Sequence, residues 1–403
     1  MKTGRIDKIK STRSAALLLA GLLLYFAFAE FSVRLNDQGS VGNNLKFVPN
    51  GILTDEEMAS AKKFAKDLNS IGDRFQGVKN TIVYRYVPAK TDSFTLNSTG
   101  FRGEELQKKK KGEFRIGILG DSRVIGAYLK TEATIPYIVE QRLRELMPER
   151  HITVLNLGIE AYDLAREIAF AELFSDRLEV DMFVFVYSVN DLNFSYVVGN
   201  FEATPYQDNN RFNELTFRPN NRYSDFLVNN FNIAEIVKKS FELDMAQGVL
   251  RKGERSLTLD PERLAFSELF AGRLLEKMAR TADYLNNDKK IKTLFFLAPV
   301  VEYKKNQSSY ESKLSFFYEY ENPGYGEFVH RSVDSLVREA EKGGQPFVLV
   351  NQMSVFDDYD DTLFWDYIHY TPKGSRIVAL DMAEHLYNFL HDEEAADKGE
   401  KSR

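Results

Sequence analysis

Between residues 114 and 351, short apolar segments alternate with amphipathic ones, and this alternation constrains the fold more than any other feature of the sequence. Segments such as "FRIGIL" and "DMFVFVYS" are nearly continuous in apolar character, which is typical of parallel strands buried on both faces. The segments between them have helical periodicity. We therefore predict an α/β fold, a three-layer α/β/α arrangement around a doubly wound, mainly parallel sheet of five strands. The predicted strands are 114–119, 151–158, 181–188, 292–299 and 347–351, and the predicted helices are 134–146, 164–174, 260–285, 333–341 and 373–390.

The predicted α/β domain spans residues 97–391. A polar, aromatic insertion at about 193–259 interrupts the alternation after the third strand, and it could form a carbohydrate groove, a lid or a plain surface loop. Residues 392–403 are highly charged and are predicted to be disordered. Residues 35–96 are predicted to be a juxtamembrane linker with one exposed helix, which Thr54 would open as its cap.

The amino terminus predicts a membrane segment. Residues 1–13 are basic, and residues 14–34 contain the apolar run "AALLLAGLLLYFAFA". As a helix this run would span about 22 Å, which is less than the ~30 Å of a bilayer core, so a cleaved signal peptide stays open. Apolar character continues almost to Arg34, which favours an uncleaved anchor. Its basic end would be cytoplasmic and the rest of the chain extracytoplasmic, in the periplasm or on the outer face.

The composition excludes several classes of function. The chain of 403 residues contains no cysteine, so disulfides, thiolate metal sites and cysteine nucleophiles are excluded. Its net charge is −6 although the amino terminus is basic, which argues against nucleic acid as the main partner. The glycines at 117, 120 and 126 match neither a dinucleotide fingerprint nor a phosphate-binding loop. We expect no cofactor and no metal.

Asp121 and Ser122 directly follow the first predicted strand of the domain. The carboxyl ends of parallel strands are where open α/β sheets present ligands, so this pair lies at the edge that forms sites. Taken alone, the pair is explained equally well as the cap of the next helix or as part of a catalytic turn.

Asp366 and His369 stand three residues apart in "WDYIHYTPKGS", just before the last helix. An imidazole can take a proton from a serine if a carboxylate holds its other nitrogen as N–H. Two further polar features follow strands: Gly158 could offer a backbone N–H, and Asn190 a side-chain amide, to a developing oxyanion. Each is more simply a turn residue when considered alone, but together they suggest one site.

These features resemble the conserved blocks of SGNH/GDSL-type hydrolases, in particular membrane-anchored bacterial members. The similarity covers about residues 97–391 and includes "GDS", Gly158, Asn190 and "DYIHYTPKG". The resemblance implies that Ser122 is the nucleophile, that Asp366 orients His369, and that Ser122, Gly158 and Asn190 form the oxyanion hole. The sequence departs from the third block, since Ser188 stands where the family usually has glycine.

Three functions remain open from the sequence. The first is an extracytoplasmic serine esterase that removes an acyl group, most plausibly acetyl, from envelope glycans or lipids. The second is an O-acyltransferase that uses the same site, and the third is a non-catalytic tethered binding or assembly protein. Substrate contacts are predicted for Asp121 and Arg123, although Arg123 could equally be a solvated residue. Trp365 could line the site or pack in the core. The sequence does not predict protein partners.

Overall fold

The protein was analysed as a computed structural model, which describes residues 48, 51–72, 74–79, 81–187, 190–192, 261–321 and 324–397. The membrane segment predicted at 14–34, the insertion at 193–259 and Ser188 lie outside these residues. No helix within the described ranges is long and apolar enough to cross a membrane.

A helix and two small hairpins precede the main sheet. Helix α1 (Asp55–Asn69) begins with a capping box, in which Thr54 accepts from the N–H of Glu57 and the Glu57 carboxylate accepts from the N–H of Thr54. Strands β1 (Phe75–Gly77) and β2 (Tyr84–Tyr86) pair antiparallel, as do β3 (Ala89–Lys90) and β4 (Thr95–Leu96). Residues such as Phe64 and Tyr86 share one hydrophobic core with the main domain. The described residues of 51–96, predicted to be a juxtamembrane linker, are therefore an integral layer of the fold, and the domain begins before residue 97.

The main domain contains a five-stranded parallel sheet in the order β6-β5-β7-β8-β9. The prediction of an α/β fold with this sheet is confirmed. The elements, in chain order, are β5 (Glu113–Gly120), α2 (Ser122–Ile125), α3 (Ile135–Leu146), β6 (His151–Gly158), α4 (Leu164–Leu178), β7 (Met182–Tyr187), α5 (Pro261–Asp283), β8 (Lys292–Leu297), α6 (Ser309–Glu321), α7 (Tyr325–Glu341), β9 (Leu349–Asn351) and α8 (Pro372–Asp397).

Helices cover both faces of the sheet because the strands are apolar on both faces. Ile116 and Ile118 point to the face covered by α3 and α8, and Leu119 points to the opposite face, covered by α1, α4, α5 and α7. All six residues of β7 are buried. Two separate cores therefore enclose the sheet, which fixes the positions of the strand ends.

The strand order places the turn after β5 at a topological switch point. Strand β5 lies between β6 and β7, so the two connections that follow β5 and β6 cover opposite sides of the sheet. In open α/β sheets the crevice at such a point, outside the carboxyl ends of the strands, is the usual ligand site. Ser122 follows β5 at this position.

Three helices show the largest differences from the sequence prediction. Helix α6 occupies a segment for which neither a helix nor a strand is predicted, and α7 begins at Tyr325, earlier than the predicted 333. Helix α8 continues to Asp397, so residues 392–397, predicted to belong to a disordered tail, are helical. The helix runs on because nothing in "HDEEAAD" breaks it: the segment contains neither proline nor glycine.

Candidate active site

The turn after β5 places Ser122, which is partly buried, at the start of a very short helix. Asp121 is the cap of α2, and its Oδ1 accepts from the N–H of Arg123 at 2.9 Å. The same turn therefore contains both the helix cap and Ser122. Gly120 is required here because a Cβ would lie 2.2 Å from Val124 Cγ2. Among the described residues, the Ser122 N–H has no hydrogen-bond acceptor, so it is free to meet a ligand.

The loop that carries Asp366 and His369 is closed by its own hydrogen bonds. Asp366 Oδ1 accepts from the backbone N–H groups of Ile368 at 2.7 Å and His369 at 2.6 Å, and the Trp365 N–H donates to the His369 carbonyl at 3.1 Å. One carboxylate oxygen therefore shapes the loop, and the other remains available to the imidazole.

The structure brings Asp366, His369 and Ser122 into one chain of hydrogen-bond distances. His369 Nδ1 lies 2.8 Å from Asp366 Oδ2, and His369 Nε2 lies 2.9 Å from Ser122 Oγ. The Ser122 and His369 side chains come from opposite ends of the domain and are partly buried. A hydroxyl, an imidazole and a carboxylate in this order can activate the serine as a nucleophile.

The charges around His369 set its proton affinity. Burial lowers the pKa of His369, the Asp366 carboxylate and its hydrogen bond raise it, and the net pKa lies above the ordinary value. Asp121 raises the pKa further, and Arg123 opposes the rise. The imidazole is therefore a stronger base than a free histidine, which suits proton abstraction from a serine.

Two aromatic rings fix the imidazole plane. Trp365 stacks on His369 with centroids 5.4 Å apart and planes 14° apart, and Tyr128 meets the imidazole edge to face at 5.4 Å. Trp365 is only 1% exposed, so it is both a core residue and a support for the histidine. Beside these two rings lies a cavity of about 290 Å³, which Leu129, Lys130 and the first turns of α1 also line.

A buried ion pair supports the beginning of the histidine loop. Lys304 Nζ lies 2.6 Å from Glu311 Oε2, and both side chains are completely inaccessible to solvent. Lys304 also donates to the carbonyl of Asp361, and Glu311 Oε1 accepts from the N–H groups of Leu363 and Phe364. These contacts fix residues 361–364, which lead directly to Trp365 and Asp366.

Gly158 does not fit the predicted role in an oxyanion hole. Its N–H already donates to Asn156 Oδ1 at 3.1 Å, and a Cβ at this position would lie 2.1 Å from the backbone nitrogen of Ile125. Gly158 is buried. The glycine is therefore needed because β6 and α2 approach closely, and its N–H is not available to a substrate.

Ala161 is a better candidate donor, and the sequence analysis missed it. It lies in a turn closed by the Tyr162 N–H on the Ile159 carbonyl, it has a φ of 58°, and it is exposed. Within the described part of the chain, its N–H has no acceptor. Asn190 Nδ2 donates to the Tyr162 carbonyl at 3.0 Å, so Asn190 contacts this turn. A non-glycine residue at positive φ is uncommon, but no sequence pattern indicated it.

Asp121 and Arg123 do not form the substrate contacts predicted for them. Their side chains are 0% and 1% exposed, and the guanidinium points into the protein, where it donates to the Pro299 carbonyl and the Tyr370 hydroxyl, each at 3.0 Å. A substrate in a surface cleft cannot reach either side chain. The prediction is wrong because partners that are distant in sequence, Pro299 and Tyr370, turn the Arg123 side chain inward.

No group of three or more histidine or acidic side chains within the described ranges could hold a metal ion. The Ser122 hydroxyl and the His369 imidazole offer nucleophilic and acid–base chemistry.

Comparisons with known proteins give distant likenesses to solved structures. No protein-family model and no curated protein matches the sequence. Among solved structures, an alpha/beta hydrolase enzyme from the metagenome of Lake Arreo, Spain, is 14% identical, with 66% of this chain and 91% of that chain covered and a TM-score of 0.33. An acetyl xylan esterase is 13% identical, with 68% and 99% covered and a TM-score of 0.37. A catalytic mutant of an acetylxylan esterase from Geobacillus stearothermophilus is 14% identical, with 68% and 93% covered and a TM-score of 0.36. At such identities and TM-scores, the site has to be judged by its own geometry.

Proposed function

We propose that this protein is a serine esterase, in which Ser122 is the nucleophile and His369, oriented by Asp366, is the general base. The observation that carries the proposal is the pair of distances that links the three side chains, 2.8 Å from carboxylate to imidazole and 2.9 Å from imidazole to hydroxyl. An Asp–His pair on the surface without a nearby serine would not indicate catalysis. Its alignment with a serine at the switch point of a parallel sheet supports catalysis.

The proposed reaction has two steps. Ser122 Oγ attacks the ester carbonyl carbon while His369 Nε2 takes the hydroxyl proton, and the imidazolium then gives this proton to the leaving alcohol. Water, deprotonated by His369, next attacks the acyl-serine, which releases the carboxylic acid and restores the Ser122 hydroxyl. The Ser122 N–H, and by this proposal the Ala161 N–H and the Asn190 amide, stabilise the oxyanion in both steps.

The proposal also covers the location of the enzyme and the class of its substrate. The resemblance to SGNH/GDSL-type hydrolases and the basic and apolar amino terminus support an enzyme anchored in the membrane by residues 14–34, with its catalytic domain outside the cytoplasm. Its substrate would be a short acyl ester, such as acetyl, on an envelope glycan or lipid.

Ester hydrolysis by the full-length protein in mild detergent tests the proposal. We expect p-nitrophenyl acetate and an acetylated oligosaccharide to be hydrolysed by the wild type, and Ser122→Ala to lose about 10³-fold or more in kcat. Ser175→Ala is the matched control, since this buried hydroxyl on α4 has no hydrogen-bond partner among the described residues, and it should retain full activity. A wild type that hydrolyses neither ester, or an active Ser122→Ala, would overturn the proposal.

The same assay separates hydrolysis from acyl transfer. An unacetylated oligosaccharide is added as acceptor together with p-nitrophenyl acetate. Free acetate as the product supports the esterase, whereas accumulation of acetylated oligosaccharide would assign the site to an acyltransferase.

A further inference from the structure

Arg123 joins three segments that are far apart in the sequence. Its Nη1 donates to the Pro299 carbonyl, which follows β8, and to the hydroxyl of Tyr370, which follows His369. The Tyr370 hydroxyl in turn donates to the same Pro299 carbonyl at 2.7 Å. The guanidinium also lies 5.4 Å from the centroid of the Tyr370 ring. A closed triangle of hydrogen bonds therefore connects the residue after Ser122 with the residue after His369.

The interior position makes this triangle rigid. Arg123 and Tyr370 are 3% exposed, and Asp121 is completely buried, so water does not compete for these hydrogen bonds. The Asp121 carboxylate lies 3.4 Å from Arg123 Nε and compensates the buried charge. A planar guanidinium can donate hydrogen bonds to a carboxylate, a carbonyl and a hydroxyl at the same time. A lysine ammonium in the same place is a single donor group without this forked geometry, so it cannot contact all three.

The reacting pair needs such a connection. Ser122 Oγ and His369 Nε2 are 2.9 Å apart, but their backbones belong to the turn after β5 and the loop before α8. Displacement of one segment by about 1 Å would break the hydrogen bond between them, and displacements of that size can cost about 10²-fold in rate. Within the described residues, the Arg123 triangle directly links these two segments on the buried side.

We propose that Arg123 and Tyr370 are positioning residues, which hold the Ser122 turn in register with the His369 loop. This inference rests on the proposed function and deepens it. Neither side chain touches substrate; both act through the geometry of the Ser122–His369 pair.

The test is Tyr370→Phe, which keeps the ring over Arg123 and removes only the hydroxyl that completes the triangle. Tyr303→Phe is the control, because it also removes one phenolic hydroxyl, which donates to Asp334 at 2.7 Å and takes no part in the triangle. Steady-state kinetics with p-nitrophenyl acetate and the rate of fluorophosphonate labelling of Ser122 are measured for the full-length protein, with the unfolding midpoint as a check. Arg123→Lys is the second variant, since it retains the charge beside Asp121.

We expect Tyr370→Phe to lower kcat and the labelling rate about 10-fold with KM within twofold, and Arg123→Lys to lower both rates further. Tyr303→Phe should match the wild type in both rates. If Tyr370→Phe and Arg123→Lys both label and turn over at the wild-type rate, or if they change only KM, the inference is wrong while the proposed function stands. An inactive, unlabelled wild type overturns the proposed function and this inference with it.

Discussion

The Lys304–Glu311 pair gives the sharpest test of how the histidine loop is stabilised. In Lys304→Met the Glu311 carboxylate stays buried without its cation, and the Asp361 carbonyl loses its donor. Removal of one member of a buried ion pair costs about 3–5 kcal/mol. Glu311 still accepts three backbone N–H groups, from Ser308, Leu363 and Phe364, which favours the lower part of this range. We therefore expect the free energy of unfolding to fall by about 3 kcal/mol.

Urea denaturation of the full-length protein, followed by circular dichroism, measures this change. The fluorescence of Trp365, the single tryptophan, follows the histidine loop in the same titration. Lys342→Met is the matched control: Lys342 lies 2.6 Å from Glu339, the same separation as in the buried pair, but its side chain is 63% exposed. It should change the free energy of unfolding by less than about 0.5 kcal/mol. If the free energy of unfolding falls equally little in both variants, burial does not set the strength of the Lys304–Glu311 pair.

Three further predictions concern single positions. Gly158→Ala should destabilise the protein by about 3 kcal/mol or more, because the added Cβ would lie 2.1 Å from the Ile125 nitrogen. Gly272→Ala is the control: its added Cβ would have no atom within 4 Å, and it should stabilise helix α5 by up to about 1 kcal/mol. Thermal unfolding measures the stability of both variants. Asp366→Asn should lower kcat about 10⁴-fold. It should also move the acidic limb of the pH–rate profile to lower pH, because the Asp366 carboxylate raises the pKa of His369; an unmoved limb would contradict this. Burial raises the pKa of Glu302 from 4.5 to about 8, so between pH 4.5 and about 8 the Glu302 carboxyl ionises in the unfolded chain but not in the folded protein. The free energy of unfolding of the wild type should therefore fall with rising pH by up to about 1.4 kcal/mol per pH unit relative to Glu302→Gln. Parallel curves of stability against pH for the two proteins would refute this.

The sheet could be predicted because buried parallel strands are continuous apolar runs. The prediction of β6 as 151–158 coincides with the observed His151–Gly158, and the remaining strands differ by a few residues at their ends. Helix ends were harder to predict. Helix α4 continues to Leu178 and stops at Glu179 in the left-handed region, where the sequence has no glycine to mark the end.

The parts of the site that are local in sequence were also predictable. Asp366 and His369 are three residues apart, and Ser122 follows a clear strand, so all three could be predicted as site residues from the sequence alone. The inward orientation of Arg123 could not be predicted, because its partners Pro299 and Tyr370 are 176 and 247 residues away. The role of Gly158 was misjudged for a related reason: its close approach to Ile125 depends on tertiary packing.

Identification of the modified serine tests directly whether Ser122 is the nucleophile. The full-length protein is treated with a fluorophosphonate and digested, and the modified peptide is sequenced by mass spectrometry. We expect one adduct, on Ser122, that forms at least about 10²-fold more slowly in His369→Ala because the general base is lost. An adduct on another serine, or an ester-hydrolysing protein that is never modified at Ser122, would contradict it.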